Sequence, residues 1–296
     1  MAQVATNPTV RRTAGDFLAL TKPTIMLLVL VTGFLTLFVI PGEMPSPGLV
    51  VTTVLGTAMA SGSANALNMY FDRDIDQIMK RTRTRPIPAG KVTPNEALMF
   101  GIGLGVASVA LLWTTTNALA AVIALSGILF YVCVYTLFLK RRTPQNIVIG
   151  GAAGSVAPLI AWAAVTGTVA LPAWLLFLVI FLWTPPHFWA LALLASEDYA
   201  RAGVPMLPVV RGHDETRKQI FIYTALLVPL TLAFYLIDFA GVIFLAGGMA
   251  VTLVFLQKAW KLLKDKSRES ARDVFIFSIF YLALWFVALL IDRVFL

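Results

Sequence analysis

Apolar runs of about twenty residues recur along almost the whole chain, and they constrain the fold more than any other feature. A helix of about 20 apolar residues crosses a hydrocarbon core about 30 Å thick, whereas barrel strands alternate polar and apolar positions over about ten residues. We therefore predict an all-α integral membrane protein with nine transmembrane helices. Their bounds are about 22–40, 48–70, 95–114, 118–139, 146–167, 171–194, 218–237, 240–262 and 273–292.

The composition excludes other classes of protein. Of the 296 residues, 59% are hydrophobic and only 13% are charged, whereas soluble domains carry about 25% charged residues. An ordinary soluble enzyme, a disordered chain and a disulfide scaffold are therefore excluded. The single cysteine, Cys133, permits no intrachain disulfide, and inside an apolar run we expect it to be a small buried hydrophobe.

Positive charge is concentrated on one side of the predicted topology. Of the 23 lysines and arginines, 22 lie in the N-terminal segment and in alternate connections, and only Arg293 lies on the other side. Cytoplasmic loops carry such an excess. We therefore predict a bacterial-type inner-membrane protein whose N-terminal segment 1–21, with Arg11 and Arg12, is cytoplasmic and whose C-terminus lies opposite. The net charge of +8 then reflects topology, and nucleic acid is not an expected partner.

The chemistry is expected on this positive side. Residues 22–293 are predicted to form a single membrane domain, and its two long positive-side connections, about 71–94 and 195–217, are the candidate active-site loops.

Three oxygen-bearing side chains mark the end of the second span. Asn68, Asp72 and Asp76 follow one another at intervals of four, so they share one helical face over about 12 Å. We call these three residues the oxygen stripe. Ionisable groups at a membrane boundary are functional candidates, and Mg²⁺ takes one or two carboxylates together with water and phosphate oxygens. Asp74 faces away from the stripe and is expected to pair with a loop cation, Arg73 being one candidate.

Basic residues surround the predicted stripe. Arginine forks match phosphate oxygens, so carboxylates, a metal and guanidinium groups at one mouth indicate a diphosphate site. For the individual cations the alternative is that they only set the topology. The basic residues are Lys80, Arg81, Arg83 and Arg85 in the first loop, and Lys140, Arg141 and Arg142 where YTLFLKRR, beginning at Tyr135, ends the fourth span.

The sixth span ends in WTPPHFWALALLASEDYARAGVPMLPVVRG. Pro185 and Pro186 should kink the helix, and His187 follows at the kink. An intramembrane histidine is a candidate metal or haem ligand, although a hydrogen-bonded structural histidine is commoner. Glu197 and Asp198 form a second acidic pair at the same boundary, either completing a two-cation clamp or capping a helix end.

Several motifs carry a family resemblance. Asn68 to Asp76 matches an Asn-x-x-x-Asp-x-x-x-Asp motif and Lys80 to Pro86 matches Lys-Arg-Thr-x-x-Arg-Pro, so the chain resembles the UbiA superfamily of intramembrane prenyltransferases. His187 stands where quinone-prenylating members place the first Asp of a second motif. More narrowly, the resemblance is to the haem-prenylating branch, from Leu20 to about Arg217, through DRDIDQIMKRTRTRP, LKRRTPQNIVIGGAAGSVAP, WTPPHFWALAL and DYARAGVPMLPVV.

The resemblance implies a fold and a reaction. The helices would surround a central cavity open to the cytoplasm, and the enzyme would transfer a farnesyl group from farnesyl diphosphate to a vinyl group of haem b, giving haem O. A downstream haem-modifying or oxidase-assembly protein is an implied partner.

The resemblance also implies roles for the site residues. Mg²⁺ would be held by the oxygen stripe, and haem b would be a substrate with His187 as axial ligand. Arg141 or Arg142 would meet the haem propionates, and Tyr135, Glu197 and Asp198 would contact substrate. The residues that would stabilise the departing diphosphate are Lys80, Arg81, Arg85 and Lys140.

Two other functions remain open at this point. Prenylation of an aromatic or quinone precursor would use the same fold, and His187 with its PPHFW context separates it from haem prenylation. A transporter would place charges at the membrane midplane within broken, repeated helices. The charged groups gather at one boundary here, which favours an enzyme.

Overall fold

The computed structural model describes residues 13–295. Residues 1–12 of the predicted N-terminal segment, including Arg11 and Arg12, lie outside this range. The first seven α-helices are α1 Ala14–Leu20, α2 Pro23–Val39, α3 Pro47–Phe71, α4 Arg73–Ile78, α5 Pro94–Thr115, α6 Ala118–Leu129 and α7 Asn146–Gly154. The others are α8 Ala157–Thr166, α9 Leu171–Leu194, α10 Ser196–Arg201, α11 Leu207–Val210, α12 Gly212–Leu236, α13 Val242–Asp265 and α14 Arg268–Phe295, and a π-helix, Phe130–Leu139, continues α6.

The predicted all-α fold class is confirmed, and each of the nine predicted spans coincides with a helical segment in residues 13–295. The predicted number of crossings is slightly too high. Within the described range seven helical segments are long and apolar enough to cross a membrane, or eight if α1 and α2, bent by 61°, form one span. Alone α2 has only 17 residues, and α3 is long but rich in Thr, Ser and Asn. The chain is a multi-pass membrane protein.

Local sequence signals explain where several helices begin. In α5 the Thr93 side chain accepts a hydrogen bond from the Glu96 amide and the Glu96 carboxylate accepts one from the Thr93 amide, with Pro94 at the first helical position. This capping box satisfies two amides that the helix cannot pair internally. Ser46 and Pro47 start α3 in a similar way.

The π-helix changes the register of the fourth span. Thr136 Oγ donates to the Tyr131 carbonyl at 2.9 Å and the Lys140 amide donates to the Tyr135 carbonyl at 2.8 Å, each across five residues. Such segments are rare and are frequent at functional sites. Cys133 lies on its outer face and is exposed, so the expectation of a buried cysteine is wrong.

Small residues allow α3 to approach α5 closely. A Cβ on Gly101 would lie 2.8 Å from Leu67 Cγ, and one on Gly105 would lie 2.7 Å from Ser63 Oγ. Ser63 Oγ also donates to the Gly101 carbonyl at 2.7 Å. This packing is typical of membrane helices, where close contact replaces the hydrophobic effect.

The largest core joins α9 to the last three helices. It is aromatic: Phe234 on α12 and Phe244 on α13 both pack edge-on against Trp285 on α14, with ring centroids 5.1 and 4.9 Å away. Ring pairs of this kind add to the stabilisation that burial itself provides. The core therefore fixes α9 on one side of the bundle, and α3 and α5 form the opposite side. The carboxyl ends of α3 and α9 lie at the same end of the bundle.

Candidate active site

The oxygen stripe forms as the sequence predicts. The Asp72 amide donates to the Asn68 carbonyl at 2.9 Å and the Asp76 amide donates to the Asp72 carbonyl at 2.8 Å. The helical hydrogen bonds thus continue across the break between α3 and α4, keeping the three side chains on one face. All three are buried, with exposed fractions of 2% or less.

Cations from three separate segments balance the stripe. Lys22 Nζ donates to Asn68 Oδ1 at 2.7 Å, and the Lys140 ammonium pairs with Asp72 Oδ2. One Arg85 nitrogen donates to both oxygens of Asp76 at 2.8 Å. A buried carboxylate needs such partners because its desolvation is costly.

Within the stripe the amide of Asn68 orients Asp72. Asn68 Nδ2 donates to Asp72 Oδ2 at 2.7 Å and lies 3.0 Å from Thr136 Oγ, so the π-helix also contacts the stripe. The register of the π-helix places Thr136 and Lys140 on the same site.

One oxygen of the stripe, Asp72 Oδ1, accepts no hydrogen bond from the described residues, and the Arg141 guanidinium lies 3.9 Å from it. This oxygen is buried. Buried acceptors are rarely left unpaired, and an anionic oxygen of this kind fits a cation. In residues 13–295 no three His, Cys, Asp or Glu side chains converge to hold a metal by themselves. The donor set present, two carboxylates and an amide, fits Mg²⁺ that takes its other ligands from water and phosphate.

Sequence reasoning missed Lys22 as a site residue and treated it only as a topological cation. It joins α1 to α2 in a left-handed conformation with φ of 52°. This conformation costs a non-glycine residue about 1–2 kcal/mol, and a following proline adds a further restriction on the residue before it. Strain of this kind persists where the surroundings fix it, often at functional sites. The available signal was a lysine directly before Pro23 at the head of the first apolar run.

The two predicted active-site loops meet at Asp198. The Arg81 amide donates to Asp198 Oδ2 at 3.4 Å, the Arg81 guanidinium donates to the Tyr199 hydroxyl at 3.4 Å, and Arg201 pairs with Asp198 Oδ1. Burial raises the pKa of Asp198, but the hydrogen bonds from Arg201 and from the Lys80 and Arg81 amides outweigh it and hold the pKa below its ordinary value. Asp198 is therefore engaged with cations of the protein itself.

Arg141 provides the partner expected for Asp74. Its guanidinium donates two hydrogen bonds of 2.7 Å to that carboxylate and lies 3.9 Å from Asp72 Oδ1. These bonds lower the pKa of Asp74 and raise that of Arg141. The prediction of a loop cation is confirmed, but Arg73 is not that cation, because it donates to the Tyr70 carbonyl at 2.7 Å.

The remaining predicted residues lie around this centre. Arg142 stacks on Phe138 at 4.5 Å. Tyr135 packs against Gly150 and has its ring 5.2 Å from that of Tyr131. Six predicted residues are exposed at this end of the molecule: Lys80, Arg81, Arg83, Arg141, Arg142 and Glu197.

His187 occupies a separate aromatic environment. Its ring stacks between Trp183 at 4.5 Å and Phe275 at 4.9 Å, and its Nδ1 lies 2.6 Å from Ser278 Oγ. The helix α9 runs through Pro185 and Pro186 to Leu194, so His187 lies roughly 10 Å deeper than the end of α9 at 1.5 Å per residue. It is not brought into the oxygen stripe.

One hydroxyl group controls the tautomer of His187. Ser278 Oγ has a single proton and lies 2.6 Å from two acceptors, the Phe275 carbonyl and His187 Nδ1. When that proton is donated to the carbonyl, His187 donates from Nδ1 and its lone pair lies on Nε2. A second partner that fixes the tautomer in this way is typical of metal-ligating histidines.

Comparison with known proteins now identifies the family. A model of the UbiA prenyltransferase family matches residues 28–287. The chain is 51% identical to the protoheme IX farnesyltransferase of Acidiphilium cryptum over 290 residues, 95% of this chain and 91% of that protein. It is also 51% identical to the protoheme IX farnesyltransferase of Gloeobacter violaceus, covering 98% of this chain and 95% of that protein.

Solved structures agree with this fold. A digeranylgeranylglyceryl phosphate synthase has a TM-score of 0.76 at 23% identity, covering 95% of this chain and 99% of the other. A UbiA homologue from Archaeoglobus fulgidus bound to GPP and Mg²⁺ has a TM-score of 0.68 at 19% identity, covering 93% and 99%. At such identities the solved structures support the fold alone. The family match and the relatives of about 50% identity also establish the family. The chain belongs to the UbiA prenyltransferase family.

Proposed function

We propose that the protein transfers the farnesyl group of farnesyl diphosphate to a vinyl group of haem b, giving haem O. The observation that carries this proposal is the buried oxygen stripe, in which Asp72 Oδ1 accepts no hydrogen bond from the described residues and cations lie close by, in a chain about half identical to proteins named protoheme IX farnesyltransferase. The stripe supports the diphosphate chemistry, and the names of the relatives support haem b as the acceptor.

Asn68, Asp72 and Asp76 are the residues that would hold Mg²⁺. When bound, the ion would neutralise charge on the diphosphate and so make it a better leaving group. The charge balance supports one ion: two carboxylates face three cations, Lys22, Lys140 and Arg85, which leaves one positive charge in excess. A prenyl diphosphate with about three negative charges and one Mg²⁺ would bring that total to zero.

The protein's cations stabilise the leaving group. Lys22, Lys140 and Arg85 exchange part of their contact with the stripe for phosphate oxygens, and their charge lies where negative charge develops as the allylic C–O bond breaks. The electron pair of that bond leaves with the diphosphate. The vinyl group of haem b then forms a C–C bond to C1 of the farnesyl group, water adds at the other vinyl carbon, and one proton is released.

The predicted active-site loop 195–217 positions the predicted active-site loop 71–94. Asp198 accepts from the Arg81 amide and pairs with Arg201, so we assign it to holding Arg81 beside the stripe, with Lys80 and Glu197 at the exposed rim. A second metal ion is not required by this assignment.

The acceptor is assigned to the aromatic environment on α9. His187 Nε2 carries the lone pair that would bind the haem iron, and Trp183 and Phe275 fix the ring plane. Arg141 and Arg142 are assigned to the haem propionates, and Tyr135 to the substrate side of the π-helix.

We assign the chain to a bacterial-type inner membrane, with the oxygen stripe and the N-terminus on the cytoplasmic side and the C-terminus opposite. The 22 cations on one side of the predicted topology support this orientation. Residues 22–293 act as one domain, and a downstream haem-modifying or oxidase-assembly protein receives the product.

The purified protein in detergent tests the reaction directly. It is incubated without oxygen with haem b, farnesyl diphosphate and Mg²⁺, and the pigment is analysed by mass spectrometry. We expect a mass gain of one farnesyl group plus one hydroxyl group, lost when a chelator is added. A parallel incubation with an aromatic quinone precursor is the control, and prenylation of that precursor with unchanged haem would refute the assignment.

A further inference from the structure

A cavity of about 440 Å³ lies between α7, α9 and α12. This volume is in the range of sites for small molecules, about 300–1,000 Å³. None of the residues that line it belongs to the oxygen stripe or to the surroundings of His187. The lining residues are Gln145, Trp189, Leu207, Arg211, Glu215, Gln219 and Tyr223.

One wall is a polar stripe along the start of α12. Arg211, Glu215, Gln219 and Tyr223 are spaced by four and therefore lie on one face. Gln219 Nε2 donates to Glu215 Oε1 at 2.7 Å. Arg211 is exposed, and within residues 13–295 its guanidinium has no hydrogen bond or ion pair. The wall thus presents a cation and an anion about one helical turn apart, roughly 6 Å along the axis.

The floor contains an unsatisfied donor. Trp189 is buried, with 2% of its surface exposed, and its ring lies 5.3 Å from that of Tyr223. The indole Nε1–H has no acceptor among the described residues. Buried donors of this kind are rarely left unpaired, so an acceptor from a bound molecule is called for.

The cavity changes from polar to apolar in one direction. Gln145 lies directly before α7 and is followed one turn later by Ile149, which is 41% exposed; on α12 Tyr223 is followed by Leu226, which is 43% exposed. Both helices start at the end of the bundle that carries the oxygen stripe and run into the membrane. A ligand with a polar head in the cavity therefore finds apolar surface for its tail.

We infer that this cavity binds the headgroup of a membrane phospholipid that carries both a phosphate and an ammonium group, as in phosphatidylethanolamine. The phosphate accepts from Arg211 and from Trp189 Nε1, and the ammonium donates to Glu215. The acyl chains follow Ile149 and Leu226. An anionic headgroup without an ammonium would leave Glu215 beside a like charge, and inorganic phosphate would leave both Glu215 and the apolar surface unused.

Native mass spectrometry of the delipidated full chain in detergent tests this inference. Phosphatidylethanolamine is titrated against phosphatidylglycerol, phosphoethanolamine and inorganic phosphate. We expect one phosphatidylethanolamine per chain, bound at least fivefold more tightly than phosphatidylglycerol. Arg211→Ala and Glu215→Gln should each weaken binding about tenfold, and Trp189→Phe, which keeps the ring but loses the N–H, about threefold.

Arg272→Ala is the matched control, because Arg272 is an exposed arginine at the start of α14 that does not line the cavity. It should bind the lipid as the wild type does. Equal lipid binding by all variants would overturn the inference, as would displacement by inorganic phosphate at the concentration of the lipid, which indicates a simple anion site. Displacement by farnesyl diphosphate or haem b would also overturn it by making the cavity a substrate route. Farnesyl diphosphate and haem b are added only in separate competition runs; the lipid titration contains neither, so its outcome is separate from that of haem prenylation.

Discussion

The oxygen stripe and the surroundings of His187 are two sites in one bundle that differ in how their polar groups are held: by charge pairs in the first and by aromatic rings in the second. The stripe and its partners bring together five charged side chains and an amide from four stretches of chain; Lys140 and Arg85 pair with carboxylates, and Lys22 faces the amide oxygen of Asn68. His187 lies between two aromatic rings with a single hydrogen-bonding neighbour, Ser278. The comparison teaches that the charged groups are held by partners from distant segments of the chain, whereas the histidine is held mainly by ring stacking.

The largest expected effect is that of Asp72→Asn, which removes the stripe carboxylate whose Oδ1 accepts no hydrogen bond within residues 13–295. Loss of a group that stabilises charge in the transition state typically costs about 10²–10³ in kcat. We expect haem prenylation to fall by at least that factor, measured as product formed per minute by mass spectrometry. Asn keeps the size of the side chain, so insertion and monodispersity in detergent should be unchanged.

Asp74→Asn is the matched control for this variant. Asp74 lies two residues away, but its side chain is 61% exposed and pairs with Arg141 outside the stripe. It should retain turnover near that of the wild type. Wild-type turnover by Asp72→Asn would remove Asp72 from the metal site, and equal losses in both variants would show that the stripe is not special.

Lys22→Met should have the second-largest effect. The change removes a positive charge that faces Asn68 Oδ1 and leaves the length of the side chain intact. We expect kcat/KM for farnesyl diphosphate to fall about tenfold to a hundredfold, corresponding to one charge-assisted hydrogen bond of about 1.5–3 kcal/mol. Steady-state kinetics with haem b in excess would measure it.

Lys91→Met provides the comparison, since that lysine is exposed and contacts Asp16 only at 3.8 Å. It should behave as the wild type. An equal change in both lysine variants would mean that Lys22 acts through net charge and not through its place beside the stripe.

His187→Ala should affect the other half of the molecule. We expect affinity for haem b to fall about tenfold, because the side chain that we assign to the haem iron is lost, while affinity for farnesyl diphosphate stays unchanged. Absorption titration of haem b, with its Soret band as the spectroscopic signature, measures the first value. Ser278→Ala removes the hydrogen-bonding neighbour of His187 but keeps the histidine itself, so it should weaken haem binding less. In His187→Ala, an equal loss of affinity for haem b and for farnesyl diphosphate would contradict axial ligation.

The sequence predicts the parts of this molecule that depend on local periodicity. The spacing of Asn68, Asp72 and Asp76 is enough to place them on one face, because helical hydrogen bonds set that geometry. Lys22 could not be placed in the same way, since its contact with Asn68 spans 46 residues and depends on how α1 and α2 bend. The π-helix was also out of reach, because a register of five depends on packing and leaves no periodic signal in ten residues.

The number of spans was overestimated for a related reason. Hydropathy measures how well a helix suits lipid, and α3 is shielded from lipid along the face that packs on α5. Some of its polar side chains bond to helix carbonyls, as Ser63 does to Gly101 and Thr57 to Thr53. The polar residues of α3, Asn68 of the candidate site among them, thus lower the apolarity of this helix.

The smallest expected effect concerns the ion pair of Asp74 with Arg141, outside the stripe, and how its contribution to the free energy of unfolding depends on pH. The Arg141 guanidinium holds the pKa of Asp74 below its ordinary value of 3.8, so the folded protein binds a proton there less readily than the unfolded chain. The pair therefore stabilises the fold above that ordinary value, and the contribution is lost as pH falls through the lowered pKa of the folded state. Because Asp74 is mostly exposed, we expect Asp74→Asn to lower the free energy of unfolding by only about 0–1 kcal/mol at pH 7.

Denaturant unfolding in detergent at pH 7 and pH 3 measures the difference in the free energy of unfolding between the wild type and Asp74→Asn, which should narrow at the lower pH. A gap that widens on acidification would show that Asp74 is stabilised in its protonated form and would reverse the assignment of Arg141 as its partner.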